Sequence, residues 1–186
     1  MKRLIAVTAA LVTVALPATA VSKPDQPDRK NAAQECRFER GSTAATREAF
    51  RVRYGTNKNG RNAFGKCVSR RSTSEERQRK AAKSNASKEC NAEREELGTA
   101  AFAAKYGTNK NGRNAFGKCV SGKAKAKKDA ADEGDAQRSE KRRSAARECA
   151  AERETLGREA FGAKYGTNRN KRNAFGKCVS KEAQSS

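Results

Sequence analysis

The sequence predicts an all-α protein: three small disulfide-stapled helical modules in tandem, joined by charged spacers that are either disordered or helical. Three observations carry this expectation. A 16-residue block recurs three times, each recurrence holds one cysteine pair, and no β-type alternation of useful length occurs in the chain.

The N-terminus comes first, because it lies outside the fold. Lys2 and Arg3 precede an uncharged, mostly apolar run from Leu4 to Leu16, and Pro17 leads into Ala18-Thr19-Ala20. This is the pattern of a secretory signal peptide over 1–20, cleaved after Ala20. The alternative, a membrane anchor, needs about 20 apolar residues, more than this run supplies. Cleavage takes two cations away and lowers the net charge from +21 to +19. The expected compartment is extracellular or cell-envelope associated. Residues 21–30 then read as a flexible arm and 181–186 as a flexible tail.

The repeated block runs Tyr54 to Ser69, Tyr106 to Ser121 and Tyr165 to Ser180, and varies at two positions: Lys58/Lys110/Arg169 and Gly60/Gly112/Lys171. Upstream, each copy has Glu-Cys-x-x-Glu-Arg, at Glu35–Arg40, Glu89–Arg94 and Glu148–Arg153, followed by a Phe at 50, 102 or 161. All six cysteines, all three tyrosines and every Phe but Phe38 fall on equivalent positions. The modules therefore span 31–69, 85–121 and 144–180, with spacers at 70–84 and 122–143.

Composition excludes one large core. The chain is 35% hydrophobic and 34% charged, with a mean hydropathy of −1.01 and no Trp. Ordering the backbone costs ~1–2 kcal/mol per residue, which so little apolar surface cannot offset over the whole length. Small stapled units can. Each module owns one pair, Cys36/Cys67, Cys90/Cys119 or Cys149/Cys178. Pairing within modules gives every duplicated unit its own bridge. Metal binding competes poorly, since there is no His and no C-x-x-C, and export leads to an oxidising medium. A bridge closing about 30 residues contributes ~3.5 kcal/mol in the chain-entropy account.

Within a module, the middle copy is representative. Ser87 to Leu97 predicts a helix with Cys90, Arg94 and Leu97 on one face. Gly98 predicts a break, and Thr99 starts a second helix carrying Phe102 and Tyr106, with Gly107 as its stop. Thr108 to Gly112 reads as a loop. Asn114 is placed as the cap of a third helix whose Phe116, Cys119 and Val120 face inward. The first copy has two more residues between its first Cys and Phe50, which alters local helix geometry only. For the spacers, Gly122 and Gly134 argue for disorder. The helical alternative rests on spacing. Cys67 to Cys90 is 23 positions and Cys119 to Cys149 is 30, so the two differ by nearly two helical turns.

Charge is the functional signal. The last stretch of each module lacks Asp and Glu and carries exposed-type cations: Lys58, Arg61 and Lys66; Lys110, Arg113 and Lys118; Arg169, Lys171, Arg172 and Lys177. A like-signed cluster in each copy is what a multivalent polyanion binder requires, and a solvated face is the plain alternative. Candidate partners are anionic cell-envelope polymers or an anionic lipid surface, with nucleic acid bound without sequence preference as a lesser possibility. A passive structural or envelope-associated spacer is the rival reading.

Other constellations point away from chemistry. The Asn-x-Asn runs at Asn57, Asn109 and Asn168 lack the carboxylates of calcium loops and read as turns. The aromatic residues read as core. Without His, and with thiols oxidised, no nucleophile or general base stands out, so no enzyme, metal or cofactor is expected. Glu35 and Glu39 read as helix-surface or Arg-paired carboxylates. The block from Ala101 to Ser121, AFAAKYGTNKNGRNAFGKCVS, resembles a two-cysteine module of uncharacterised secreted proteins of actinobacterial type. The resemblance covers the three modules, roughly two thirds of the chain. It implies export and repetition and brings no activity with it.

Overall fold

The computed structural model describes residues 24–185, so the leader reading over 1–20 lies outside the described residues. Among the described residues five helices form: α1 (Gln26–Arg40), α2 (Ala44–Tyr54), α3 (Ala63–Tyr106), α4 (Ala115–Tyr165) and α5 (Ala174–Ser185). No strand occurs among the described residues.

Both spacers are helical. Residues 70–84 continue inside α3 and 122–143 inside α4, and each long helix bends at a single glycine, Gly98 (φ 75°, ψ 159°) or Gly157 (φ 75°, ψ 164°). Those dihedrals lie in a region that only glycine enters readily, which is why the helix turns there and nowhere else. Gly122 and Gly134 do not break α4. A glycine costs a helix about 1 kcal/mol, too little to stop one whose neighbours are Ala, Lys, Glu and Arg. α1 also begins inside the stretch read as an arm, and α5 runs through most of the tail.

Packing explains why these polar helices hold. α1 lies antiparallel to α3, with the Cys36–Cys67 bridge at one end and Arg79 on Asp25 and Asp28 at the other. α3 and α4 also run antiparallel, from Arg71 against Ser139 to Lys127 against Glu89. Module 2 closes the far end of this helical hairpin, while modules 1 and 3 meet at the near end. The 23 residues from Cys67 to Cys90 carry module 2 roughly 35 Å from module 1. The second spacer is seven residues longer, roughly 10 Å of helix. That excess makes α4 overshoot: Arg142 and Arg143 come level with Glu39 and Phe38, and module 3 starts just beyond them.

Three small apolar cores result, one per module, each built round its disulfide. In the first, Phe50, Tyr54 and Ala63 surround Cys36 and Cys67. In the second, Phe102, Ala115 and Val120 surround Cys90 and Cys119. In the third, Phe161, Tyr165 and Phe175 surround Cys149 and Cys178. The Phe–Tyr pairs sit 4.9, 5.0 and 4.9 Å apart between ring centres, tilted in each copy. Leu97, on the face of Cys90 by spacing, is 40% exposed and stands outside the module 2 core, one residue before the Gly98 bend. The two extra residues of the first copy replace the one-residue bend by a turn at Gly41 to Thr43. The Thr43 hydroxyl there caps α2 through the Thr46 N–H (3.2 Å).

Candidate functional site

Each module presents the same loop, and its geometry explains the Asn-rich sequence. The Asn62 side chain accepts from the Thr56 N–H at 3.1 Å and donates to the Thr56 hydroxyl at 2.7 Å. Asn114 does the same to Thr108 (3.0 and 2.7 Å), and Asn173 to Thr167 (3.1 and 2.6 Å). Asn62 and Asn114 stand at helix N-caps by position, yet their side chains make no cap bond. They brace the loop instead, which corrects the capping role expected of Asn114. A second set, Asn59, Asn111 and Asn170, accepts from the N–H two residues on, at 3.1 to 3.2 Å. The loops are therefore rigid platforms fixed by uncharged side chains.

The cations ride on these platforms. Lys58, Arg61, Lys66, Lys110, Arg113, Lys118, Arg169, Lys171, Arg172 and Lys177 are all exposed. Among the described residues none of the ten pairs with a carboxylate within 4 Å. Other cations of the same modules are paired: Arg53 with Glu39 (3.4 Å), Lys105 with Glu93 (2.6 Å) and Lys164 with Glu152 (2.5 Å).

The Glu-Arg motif accounts for that division. Glu39, Glu93 and Glu152 each accept from the module's tyrosine hydroxyl, at 2.9, 2.8 and 2.7 Å. Arg40, Arg94 and Arg153 lie over the rings of Phe64, Phe116 and Phe175. Hydrogen bonds from Lys105, Lys123 and the Tyr106 hydroxyl hold the Glu93 carboxyl down to about 2. Those from Lys164 and Tyr165 lower Glu152 as well. Glu39, Glu93 and Glu152 are thus committed to the tyrosine and to neighbouring cations, and the loop cations face solvent.

Comparison with protein-family models, curated proteins and solved structures gives no match to this chain. Its reading rests on its own residues.

Two features escaped the sequence. One is a charged layer where α1, α3 and α4 meet. Oxygens of Glu35, Glu75 and Asp135 lie within 4.8 Å of one another. Arg71 reaches Glu35 at 2.6 Å and Asp135 at 3.9 Å, and Lys128 pairs with Glu75, so each of the three carboxylates already has a cationic partner. Burial pushes the Glu35 carboxyl up to about 7; Arg71 opposes this, while Glu75 and Asp135 add to it. The other feature is a cavity of about 570 Å³ between modules 1 and 3, bounded by α2, α4 and α5. The Arg142-Arg143 pair was the available signal for it. Its walls come from modules that are adjacent only once the hairpin has closed.

The six cysteines are all bonded within their modules, at Cys36–Cys67, Cys90–Cys119 and Cys149–Cys178. Three disulfides point to an oxidising compartment. No described helix is long and apolar enough to cross a membrane.

Proposed function

We propose that this chain is an exported, non-enzymatic binder of anionic polymers, which it engages at three basic loop ends held by a stiff helical hairpin. The observation that carries the reading is the sorting of charge. Nine cations at repeat-equivalent places, and Lys171 beside them, are exposed and paired with no carboxylate, while cations a few residues away are tied to Glu39, Glu93 and Glu152. Unpaired surface cations cost no broken ion pair when an anion arrives. Continuous helices keep module 2 roughly 35 Å from module 1, so one long polymer can touch both ends and gain avidity without any new kind of contact.

The favoured partner is an anionic cell-envelope polymer or an anionic lipid surface. Nucleic acid would be bound through phosphates alone and without base preference. Export is supported by the leader pattern over 1–20 together with the three disulfides. A passive envelope spacer would share the fold and leave the cations idle.

Retention on a teichoic-acid-like phosphate polymer at physiological salt separates the two. Mature protein is expected to be retained, and the variant Lys110→Glu/Arg113→Glu/Lys118→Glu to elute earlier with its helical content unchanged. Equal elution of both would move the attraction to the long helices, and passage of the parent without retention would leave the spacer reading standing.

A further inference from the structure

We propose that the cavity between the first and third modules binds a small amphipathic organic anion: a carboxylate or phosphate monoester carried on an apolar body. The site borders the third loop end, from which it takes Asn173 and Lys177, and is remote from the loop of module 2, because it lies where α2 meets α4 and α5.

The cavity holds about 570 Å³, within the range of small-molecule sites. One wall is apolar, with Phe50, Ala146 and Val179 buried in it and Val52 and Ala183 nearer the mouth. The other wall is cationic: Arg53, Arg138, Arg142, Arg143 and Lys177 face Glu39 as the single carboxylate. That carboxylate is already engaged. It takes Arg71 at 2.6 Å, the Tyr54 hydroxyl at 2.9 Å and Arg53 at 3.4 Å.

Arg142 is therefore left with unmet charge. Its nearest carboxylate oxygen is Glu39 Oε1 at 3.7 Å, and its side chain is 26% exposed. Burial, reinforced by the charge of Arg53, lowers its proton affinity. Beside it, Arg143 Nε is buried with no hydrogen-bond partner, although the same guanidinium bonds Glu140 at 3.0 Å and covers the Phe38 ring. Guanidinium groups with N–H donors to spare, facing an apolar wall, are complementary to an oxyanion head on a hydrophobic body.

The walls are held from both sides. Arg153 forms a two-pronged pair with Glu48 at 2.7 and 2.9 Å, joining module 3 to α2. A Cβ added at Gly176 would lie 2.6 Å from Val52, so the modules close to contact at one edge and leave the cavity beside it.

The test titrates the full mature protein with decanoate, decyl phosphate, decanol and inorganic phosphate, following amide shifts by NMR and heat by calorimetry. Decanoate or decyl phosphate is expected to bind below ~1 mM and to shift Ala146, Val179 and Ala183; whichever binds tighter identifies the head group. Decanol and inorganic phosphate, each lacking one half of the chemistry, are expected to bind at least about tenfold more weakly. Arg142→Gln should weaken the amphiphile about tenfold or more, and Ser180→Glu, an exposed change at the rim, should do the same without touching the core. Reversal of Lys110, Arg113 and Lys118 should leave these titrations as they were, so the cavity and the loop ends can fail independently. No binding at ~1 mM, shifts spread evenly over the three loops, or parent-like affinity in both cavity variants with folding intact would each overturn the proposal.

Discussion

Arg71 places Nη2 2.6 Å from Oε2 of Glu39, a carboxylate only 4% exposed and 32 residues earlier in the chain. The same guanidinium touches Glu35 and the Ser139 hydroxyl, so one side chain on α3 ties module 1 to α4. A charge network of this kind makes a modest net contribution to stability when intact. Removing one member leaves the others buried and unmatched, at a cost of about 3–5 kcal/mol.

Arg71→Ala should therefore lower stability by about 3 kcal/mol or more in chemical denaturation. Lys125→Ala is the comparison, since Lys125 and Asp129 form an exposed pair of the same formal kind, with an expected loss far smaller than that of Arg71→Ala. Similar small losses for both would show that the α1–α3–α4 layer is solvated and contributes little.

The pH dependence follows from Glu35. Its carboxyl titrates near 7 in the folded protein, against 4.5 for the free side chain. The folded state holds this proton more tightly, so the stabilisation is fully present below about pH 4.5 and is lost as pH rises through 7. Denaturation midpoints should fall between pH 5 and 8, and Glu35→Gln should flatten that slope. Midpoints that rise with pH over the same interval would contradict the burial of Glu35.

Much of each module was legible in the sequence because it is local. Gly98 and Gly107 mark the bend and the stop, and one Cys pair per copy marks the staple. The contacts between modules were not legible, because they break the repeat symmetry. Phe38 lies off the repeat and Arg143 lies in the second spacer, and each makes sense only when they meet at 4.5 Å. Helicity of the spacers was hidden for a related reason. Gly122 and Gly134 weaken α4 locally, whereas Gln78 on Asp135 and Lys128 on Glu75 support it from α3. The ten loop cations were found by composition alone; that they are unpaired depends on where the Tyr–Glu bonds place the acids.

Replacing Cys90 and Cys119 by Ser should cost module 2 about 3.5 kcal/mol. Hydrogen exchange is expected to speed up over residues 86–121, while the core amides of modules 1 and 3 stay protected, because those modules are joined through Glu48 and Arg153. Loss of protection over all three modules together would mean that the chain folds as one unit.

Lys171 stands at φ 54°, where the other copies have Gly60 at 65° and Gly112 at 64°. A left-handed conformation costs a residue with a Cβ about 1–2 kcal/mol. Lys171→Gly should stabilise module 3 by about 0.5–1 kcal/mol, part of the gain being cancelled by loss of the Lys171 bond to the Gly166 carbonyl (3.0 Å). Thermal unfolding and polymer retention read the two consequences together: a firmer module and a weaker hold. A variant less stable than the parent would show that the Lys171 side chain holds the loop.

The central claim is that the loop cations themselves meet the polyanion, and salt dependence counts those contacts. With a duplex DNA as a polymer of known charge density, the slope of log affinity against log salt steepens by about 0.9 for each phosphate neutralised. Reversing Lys110, Arg113 and Lys118 in the full chain should make that slope shallower by about 2.7 or more, with no change in base preference. An unchanged slope, with helical content and disulfides intact, would contradict the account.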